Sequence, residues 1–335
     1  MTKKRKIKRK QIRLLLRSLN VHGKCPRHRE TTGVTGVEEN QSFEEILSEN
    51  QNLEFHILDE KLRNILQISS LTQDILKAIG AAGPDGRYNN AGALLADTNQ
   101  FSGIDCICFG ETADIVLDRK TFDHRSVLLQ YDEAISLFKK YYQYDLIEGK
   151  LRKTIERIPE KAFRAVIANA IVHRAWDTNA NIRVAMYEDR VEVFSPGGLQ
   201  GGVTESACMK GRIPAFRNPI LAGVFYRLHI MKSFGTGIRR VNEAYGDSDA
   251  KPTYQFSSNA IKVSLPVIVS ARSLSGAARA VYDSLDDVRK SSTEIAGLTG
   301  FGKNKTLGIL ANLEEEGYVG KSGKGRATRY IVRRE

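Results

Sequence analysis

Cysteine is scarce in this chain, and no apolar run is long. The four cysteines, Cys25, Cys106, Cys108 and Cys208, form neither a C-x-x-C pair nor the ladder of a secreted disulfide framework. Cys25 and His28 could offer two zinc ligands, but nothing nearby completes a tetrahedral set, so structural zinc is not expected. No stretch approaches the ~20 apolar residues of a membrane-spanning helix, and the basic N-terminus lacks the apolar segment and small-residue cleavage site of a secretory signal. These absences predict a soluble, cytoplasmic chain with no membrane partner. Acidic charge is also short, with 39 Asp and Glu against 51 Lys and Arg and a formal net charge of +12.

The excess of cations is placed at the two ends. Residues 1–30 hold twelve Lys and Arg against one Glu, and residues 267–335 hold twelve against eight acids, leaving the middle slightly negative. Cations gathered at the termini are what contact with a phosphate backbone requires. The first 40 residues, opening with Lys3-Lys4-Arg5-Lys6, lack an apolar period and read as a disordered or marginally helical arm. Such an arm either binds a polyanion or is a solvated tail.

At 335 residues and 41% hydrophobic content the chain can bury two or three cores. Four regions are expected: the arm (1–40), an α/β region (41–155), a second α/β region (156–268) and a small C-terminal unit (275–335). The first α/β region reads as short helices over 43–70, a helix over 73–82 stopped by Gly83-Pro84-Asp85-Gly86, and a small-residue helix at Asn90–Leu95. Two strands follow, Ile104–Phe109 and Ile115–Asp118, in a hairpin, and then an amphipathic helix, Leu128–Tyr142.

From Pro159 onward the pattern is more informative. Residues 160–174 have a helical period, and the runs Ile182–Tyr187 and Arg190–Phe194 alternate as a β-hairpin that ends in Ser195-Pro196-Gly197-Gly198-Leu199. After a polar loop come a helix over 218–229, the turn Phe234-Gly235-Thr236-Gly237, a helix over 238–245 and a strand, Ile261–Leu265. Glycine-rich turns beside regular structure let backbone N–H groups approach an anion, and Gly235-Thr236-Gly237 also sits at a helix N-terminus, where the dipole favours negative charge. By itself a GxG before a helix is more often only a tight turn.

The string Phe163–Arg174, the hairpin, Ser195–Leu199, Arg217-Asn218-Pro219-Ile220, Phe225–Leu228 and Phe234–Ile238 together resemble the RecG-like, Schlafen AlbA-type transcriptional regulators over about residues 85–266. The resemblance implies a divergent GHKL ATP-binding domain, an α/β (α+β) helix-on-sheet sandwich. It implies ATP and magnesium as cofactors, with Asn169 holding the metal and His173, one turn later, sharing its face. Arg174, Ser195, Gly197, Gly198, Gly235, Thr236 and Gly237 complete the implied nucleotide site. Ser195 stands where the wider group carries an acidic side chain for adenine. Where the family has a water-activating Glu this chain has Ala165, and loss of a general base costs typically 10²–10⁴-fold in rate, so no catalytic residue is assigned and turnover is not expected. The alternative for Asn169 and His173 is a polar pair closing a helix-sheet interface. The family's AlbA-type domain is reduced here, with Asn52–Phe55 its only trace.

Beyond a Ser/Ala/Gly linker, helices are expected over 278–285, 292–298 and 303–316, then Gly317 and a hairpin, an order that resembles a winged helix-turn-helix. Leu307, Leu310 and Leu313 are expected in its core. Lys303, Asn304, Lys305 and Thr306 begin the helix that such folds place in the major groove, and Lys321, Lys324, Arg326 and Arg329 lie on the wing. The acidic run Glu314-Glu315-Glu316 leaves protein contact open as another use. The expected protein is thus a DNA-binding transcriptional regulator, partnered by double-stranded DNA and a second copy as a homodimer. The alternatives are a DNA-coupled ATPase and a non-catalytic interaction scaffold.

Overall fold

The computed structural model describes residues 42–332 except 149–150, 211–215, 233–234, 247, 249, 269–273, 275 and 286–287. The basic arm of residues 1–40, Phe234 and most of the linker lie outside the described residues.

A short turn, Phe43–Glu45, is closed by a capping box between Ser42 and Glu45. Helix α1 (His56–Leu66) buries Leu58 and Leu62, and Asp97 caps its start by accepting the N–H groups of His56 (2.8 Å) and Ile57 (3.0 Å). Helices α2 (Gln73–Ala78) and α3 (Asn90–Leu95) begin at the side-chain caps Thr72 and Asn89. Strands β1 (Ile104–Phe109) and β2 (Val116–Phe122) form the expected hairpin. β2 runs past the predicted end at Asp118, because Arg119 (2.9 Å) and Thr121 (2.9 Å) both bind Asp105 across the pair.

Helix α4 (Val127–Tyr142) buries Leu128, Tyr131, Ile135 and Phe138. It is followed by strands β3 (Gln143–Glu148) and β4 (Leu151–Glu156), a separate antiparallel pair that sequence analysis did not anticipate. Its alternation is diluted by charged residues, so the apolar signal is weak. Helix α5 (Glu160–His173) stacks Phe163 on Phe138 of α4 at 4.1 Å between ring centroids.

Next come β5 (Ile182–Met186), β6 (Arg190–Pro196), α6 (Glu205–Met209), α7 (Pro219–Arg227), α8 (Gly237–Tyr245), β7 (Thr253–Phe256) and β8 (Ala260–Pro266). β7 is a four-residue edge strand behind Lys251-Pro252, too short to register as a pattern. Six strands make one mixed sheet in the order β2-β1-β5-β6-β8-β7, in which only the β1/β5 pair is parallel. A parallel pair needs a long crossover, here supplied by α4, the β3/β4 hairpin and α5. Strands from both α/β regions therefore share a single sheet.

Side chains alternate across that sheet. Val184, Val191, Val193 and Leu265 are buried on the face under the helices. The opposite face carries Arg183, Glu192, Phe194 and Lys262. There burial alone would raise the Glu192 carboxyl, but Lys262 (2.9 Å) and Arg190 (3.0 Å) hold it below the usual carboxylate range. This is a helix-on-sheet α+β sandwich. One continuous apolar core runs from Phe55 to Leu265.

A second, separate core gathers Val281, Ile295, Leu310, Leu313, Val319 and Tyr330. It belongs to α9 (Gly276–Asp283), α10 (Ser292–Thr299), α11 (Lys303–Glu315) and the antiparallel pair β9 (Val319–Ser322) and β10 (Arg329–Val332). Gly317, at φ +82°, ends α11 as expected, with the Tyr318 N–H donating to Leu313 O at 2.8 Å. The expectation for Leu307 is corrected. It is 37% exposed, because the buried stripe of α11 is Thr306, Leu310 and Leu313. Among the described residues, no helix is long and apolar enough to cross a membrane.

Candidate functional site

The site is organised by the end of α5. The last carbonyls of a helix have no partner within it and must be satisfied from outside. Here side chains from distant segments do so. Ser195 Oγ donates to Ala170 O (2.9 Å), Trp176 Nε1 to Ile171 O (3.1 Å), and Arg217 Nε to His173 O (3.2 Å). Asn218 Nδ2 donates to Val172 O (3.1 Å) and Arg174 O (2.8 Å). The Arg217-Asn218 pair thus clamps the helix end. Its neighbour α7 is tied down in turn by Glu44, which accepts the N–H groups of Ile220 and Leu221 at 2.7 Å each.

So fixed, α5 presents Val166, Asn169, Ala170 and His173 along one wall of a cleft. The i, i+3, i+4, i+7 spacing puts the four on a single stripe. The β6 and β8 residues Val193, Ser195 and Ile261 form the floor, and Gly235, Gly237 and Ile238 at the start of α8 face it. The lining is mostly apolar. Its polar groups include Asn169, His173, Ser195, Arg217 and Tyr254, and among the described residues no Asp or Glu lines it.

Asn169 is half-buried, and among the described residues its amide makes no protein hydrogen bond. It lies flat against Gly237: a Cβ at that position would stand 2.2 Å from Asn169 Nδ2. Gly235 has φ +74°, a conformation that favours glycine. The first turn of α8, whose N–H groups have no partner inside the helix, therefore approaches Asn169 directly. His173 stacks on Phe216 with ring centroids 5.2 Å apart. Burial, aided by the nearby Arg217 charge, lowers its pKa to about 4, so the imidazole is neutral at pH 7.

The predicted residues separate into two groups. Asn169, His173, Ser195, Gly198, Gly235 and Gly237 meet in the cleft, whereas Arg174, Gly197 and Thr236 do not line it. Arg174 is corrected outright as a nucleotide contact. Its guanidinium is buried, lies 4.0 Å over the Trp176 ring and donates to Ser102 O (2.5 Å) and Gly103 O (3.3 Å), a lock between α5 and the start of β1. Gly197 and Gly198 serve packing. A Cβ at Gly197 would meet Ala175 Cβ at 2.8 Å, and one at Gly198 would meet the Ser258 carbonyl oxygen in the β7/β8 turn at 2.4 Å. Ser195 has already committed its proton to Ala170 and offers the cleft only accepting lone pairs. Ala165 is buried and lines nothing in the cleft. Glu160 is held by Arg164 (2.6 Å), Lys139 (3.1 Å) and Gln143 (2.9 Å), away from it. Sequence analysis did not assign Arg217 or Tyr254 to the site: Arg217 is placed by a contact 44 residues away in the chain, and Tyr254 by the short edge strand β7 and its bond to Asn242 at 2.9 Å.

In the C-terminal unit Lys303, Asn304, Lys305, Lys321 and Lys324 are exposed. Lys305 lies over the Phe301 ring at 4.3 Å and Lys321 faces Glu314 at 3.7 Å. Arg329 is half-buried and donates to Thr328 O at 3.0 Å, while the Arg326 side chain lies outside the described residues. Thr306 is corrected: it is fully buried and bonds back to Gly302 O at 3.2 Å, so it reaches no partner. Elsewhere Glu54, His56 and Asp97 bring three metal-capable atoms within 4.8 Å of one another, but Asp97 is spent on capping α1 and on the His56 ring.

Comparison with known proteins agrees with this geometry in part. Residues 179–265 match the family described as "Putative ATP-dependent DNA helicase recG C-terminal". The matched stretch contains the sheet floor and α8 but not α5, which carries Asn169. In fold, the chain is similar to the crystal structure of the DIP2311 protein from Corynebacterium diphtheriae, with a TM-score of 0.60 and 20% identity over 88% of this chain. It spans 64% of the length of that relative. No curated protein matches the chain. Over residues 179–265, the chain carries an ATPase-type domain of the RecG C-terminal-like kind.

Proposed function

We propose that this protein is a DNA-binding regulator whose ATPase-type domain binds an adenine nucleotide without turning it over rapidly. One observation carries the nucleotide reading: the Asn169 amide, which has no protein partner among the described residues, lies in a largely apolar cleft against the first turn of a helix. Apolar walls suit a base, Ser195 oxygen suits its amino group, and the start of α8 suits phosphate. Asn169 is the residue that would hold magnesium. The ion, when bound with nucleotide, neutralises phosphate charge. Among the described residues no carboxylate lines the cleft, and His173, whose pKa is lowered to about 4, is a weak base for activating water, which favours binding over hydrolysis.

The DNA reading rests on the C-terminal unit, where three helices and a hairpin follow the order of a winged helix and exposed lysines stand at the start of α11 and on the hairpin. Binding as a homodimer in the cytoplasm is part of the same proposal. The test is calorimetric titration with a non-hydrolysable ATP analogue and magnesium. Binding that is lost in Asn169→Ala supports the reading; a folded wild type that takes up no analogue overturns the nucleotide half of it.

A further inference from the structure

α11 has an exposed face that differs from the one its sequence suggests. Thr306 is turned into the core, and Leu307 is turned out. Asn304, Leu307, Gly308 and Ala311 are all exposed, at the i, i+3, i+4, i+7 spacing of one stripe. Lys303 and Lys305, also exposed, flank the beginning of this stripe, and Lys324 adds a cation on the β9/β10 hairpin. The arrangement is an uncharged reading surface with cations at the start of the helix, while the exposed Glu315 and Glu316 stand at its far end. Duplex DNA has the complementary form: uncharged base edges on a groove floor between two rows of phosphates.

We infer that Asn304 and Leu307 read an A·T-containing step in the major groove, Asn304 through adenine N6 and N7 and Leu307 through the thymine C5-methyl group. This inference rests on the DNA reading given above. The chemistry of each side chain selects its target. An Asn amide matches the adjacent donor and acceptor of adenine, and an aliphatic side chain can remove a thymine methyl from water but gains nothing at cytosine. One helical step of three residues advances about 4.5 Å, between one and two base steps of about 3.4 Å, so both side chains reach the same or adjacent pairs. Gly308 and Ala311 project too little to hold the helix out of the groove.

The experiment uses the full chain and a duplex selected by it from a random pool. The selected duplex is then remade with uracil for thymine, which deletes only the methyl, or with 7-deazaadenine, which deletes only N7. Uracil is expected to weaken wild-type binding about fourfold, the equivalent of one buried methyl group. 7-Deazaadenine is expected to weaken it about tenfold. Leu307→Ala should bind the thymine and uracil duplexes equally, and Asn304→Ala should lose its response to 7-deazaadenine. Wild-type affinity unchanged by both replacements overturns the inference while leaving DNA binding intact. A folded chain that holds no duplex in low salt overturns the DNA reading, and this inference with it.

Discussion

Asn169 and Gly237 are in contact across the cleft, with the amide of one pressed on the Cα of the other so closely that no side chain can stand between them. The glycine at the start of α8 is therefore fixed by the asparagine on α5, whatever binds there. Gly237→Ala tests this directly. Overpacking at such a contact costs about 1–3 kcal/mol, partly offset by the better helix propensity of alanine, about 1 kcal/mol. The melting temperature should fall slightly, and affinity for the ATP analogue should fall about tenfold or more as the amide is displaced. Calorimetry showing wild-type affinity in Gly237→Ala would remove Asn169 from the site.

Restoring a glutamate at Ala165 should not restore an ATPase. Ala165 is buried and off the cleft-lining stripe, so Ala165→Glu introduces a carboxylate into the core. An unpaired buried charge destabilises by about 3 kcal/mol or more. Thermal denaturation is expected to show that loss, and a phosphate-release assay to show no gain. Turnover appearing in this variant would mean that position 165 reaches the nucleotide after all.

Arg174 is a structural lock, and its loss should be read in stability and not in affinity. Burial lowers its pKa to about 10, which still leaves the guanidinium charged at neutral pH. Arg174→Met removes the donors to Ser102 and Gly103 and the stacking on Trp176, at a cost of about 2–4 kcal/mol. The folded fraction of the variant should bind the analogue as the wild type does. A selective loss of affinity at unchanged melting temperature would instead put Arg174 in the site.

Glu44 makes a pH dependence of opposite sign to the usual carboxylate. Burial raises its pKa from 4.5 to about 7, against the lowering effect of the Leu221 and Ile220 N–H groups. A carboxyl raised in the folded state stabilises most when protonated, so its contribution is present below pH 4.5 and is lost as the pH rises through about 7. Because Gln mimics the protonated carboxyl, melting curves of the wild type and Glu44→Gln should lie close together at pH 5 and separate towards pH 8, the wild type falling below the variant. Parallel curves across that range would show that Glu44 does not titrate there.

The elements that could be read from the sequence are those whose signal is local. α4 and α5 have long apolar periods, the β1/β2 and β5/β6 pairs alternate around turn residues, and the start of α10 is marked by its Ser291/Glu294 capping box. The β3/β4 hairpin and β7 escaped because charge or brevity hides their alternation. At the site, Asn169 and His173 could be placed by helical spacing alone. The roles of Arg217 and Asn218 could not, because the carbonyls they satisfy lie 44 to 46 residues away in the chain. Gly197 and Gly198 suggested a phosphate cradle, but the backbone they approach is the protein's own. For Leu307, three leucines at three-residue spacing implied one buried stripe, yet the 3.6-residue turn lets only two of them follow the core.

The parallel pairing of β1 with β5 determines how this protein can be divided. A fragment cut to residues 179–265 would keep β5 but lose β1, leaving the middle of the sheet as a bare edge able to pair with any other chain. It would also lose α5 from above β6, opening the apolar floor to water. Such a fragment should aggregate on expression. A fragment intended to stay in solution has to begin ahead of Glu44, whose carboxylate caps α7 from the far end of the fold.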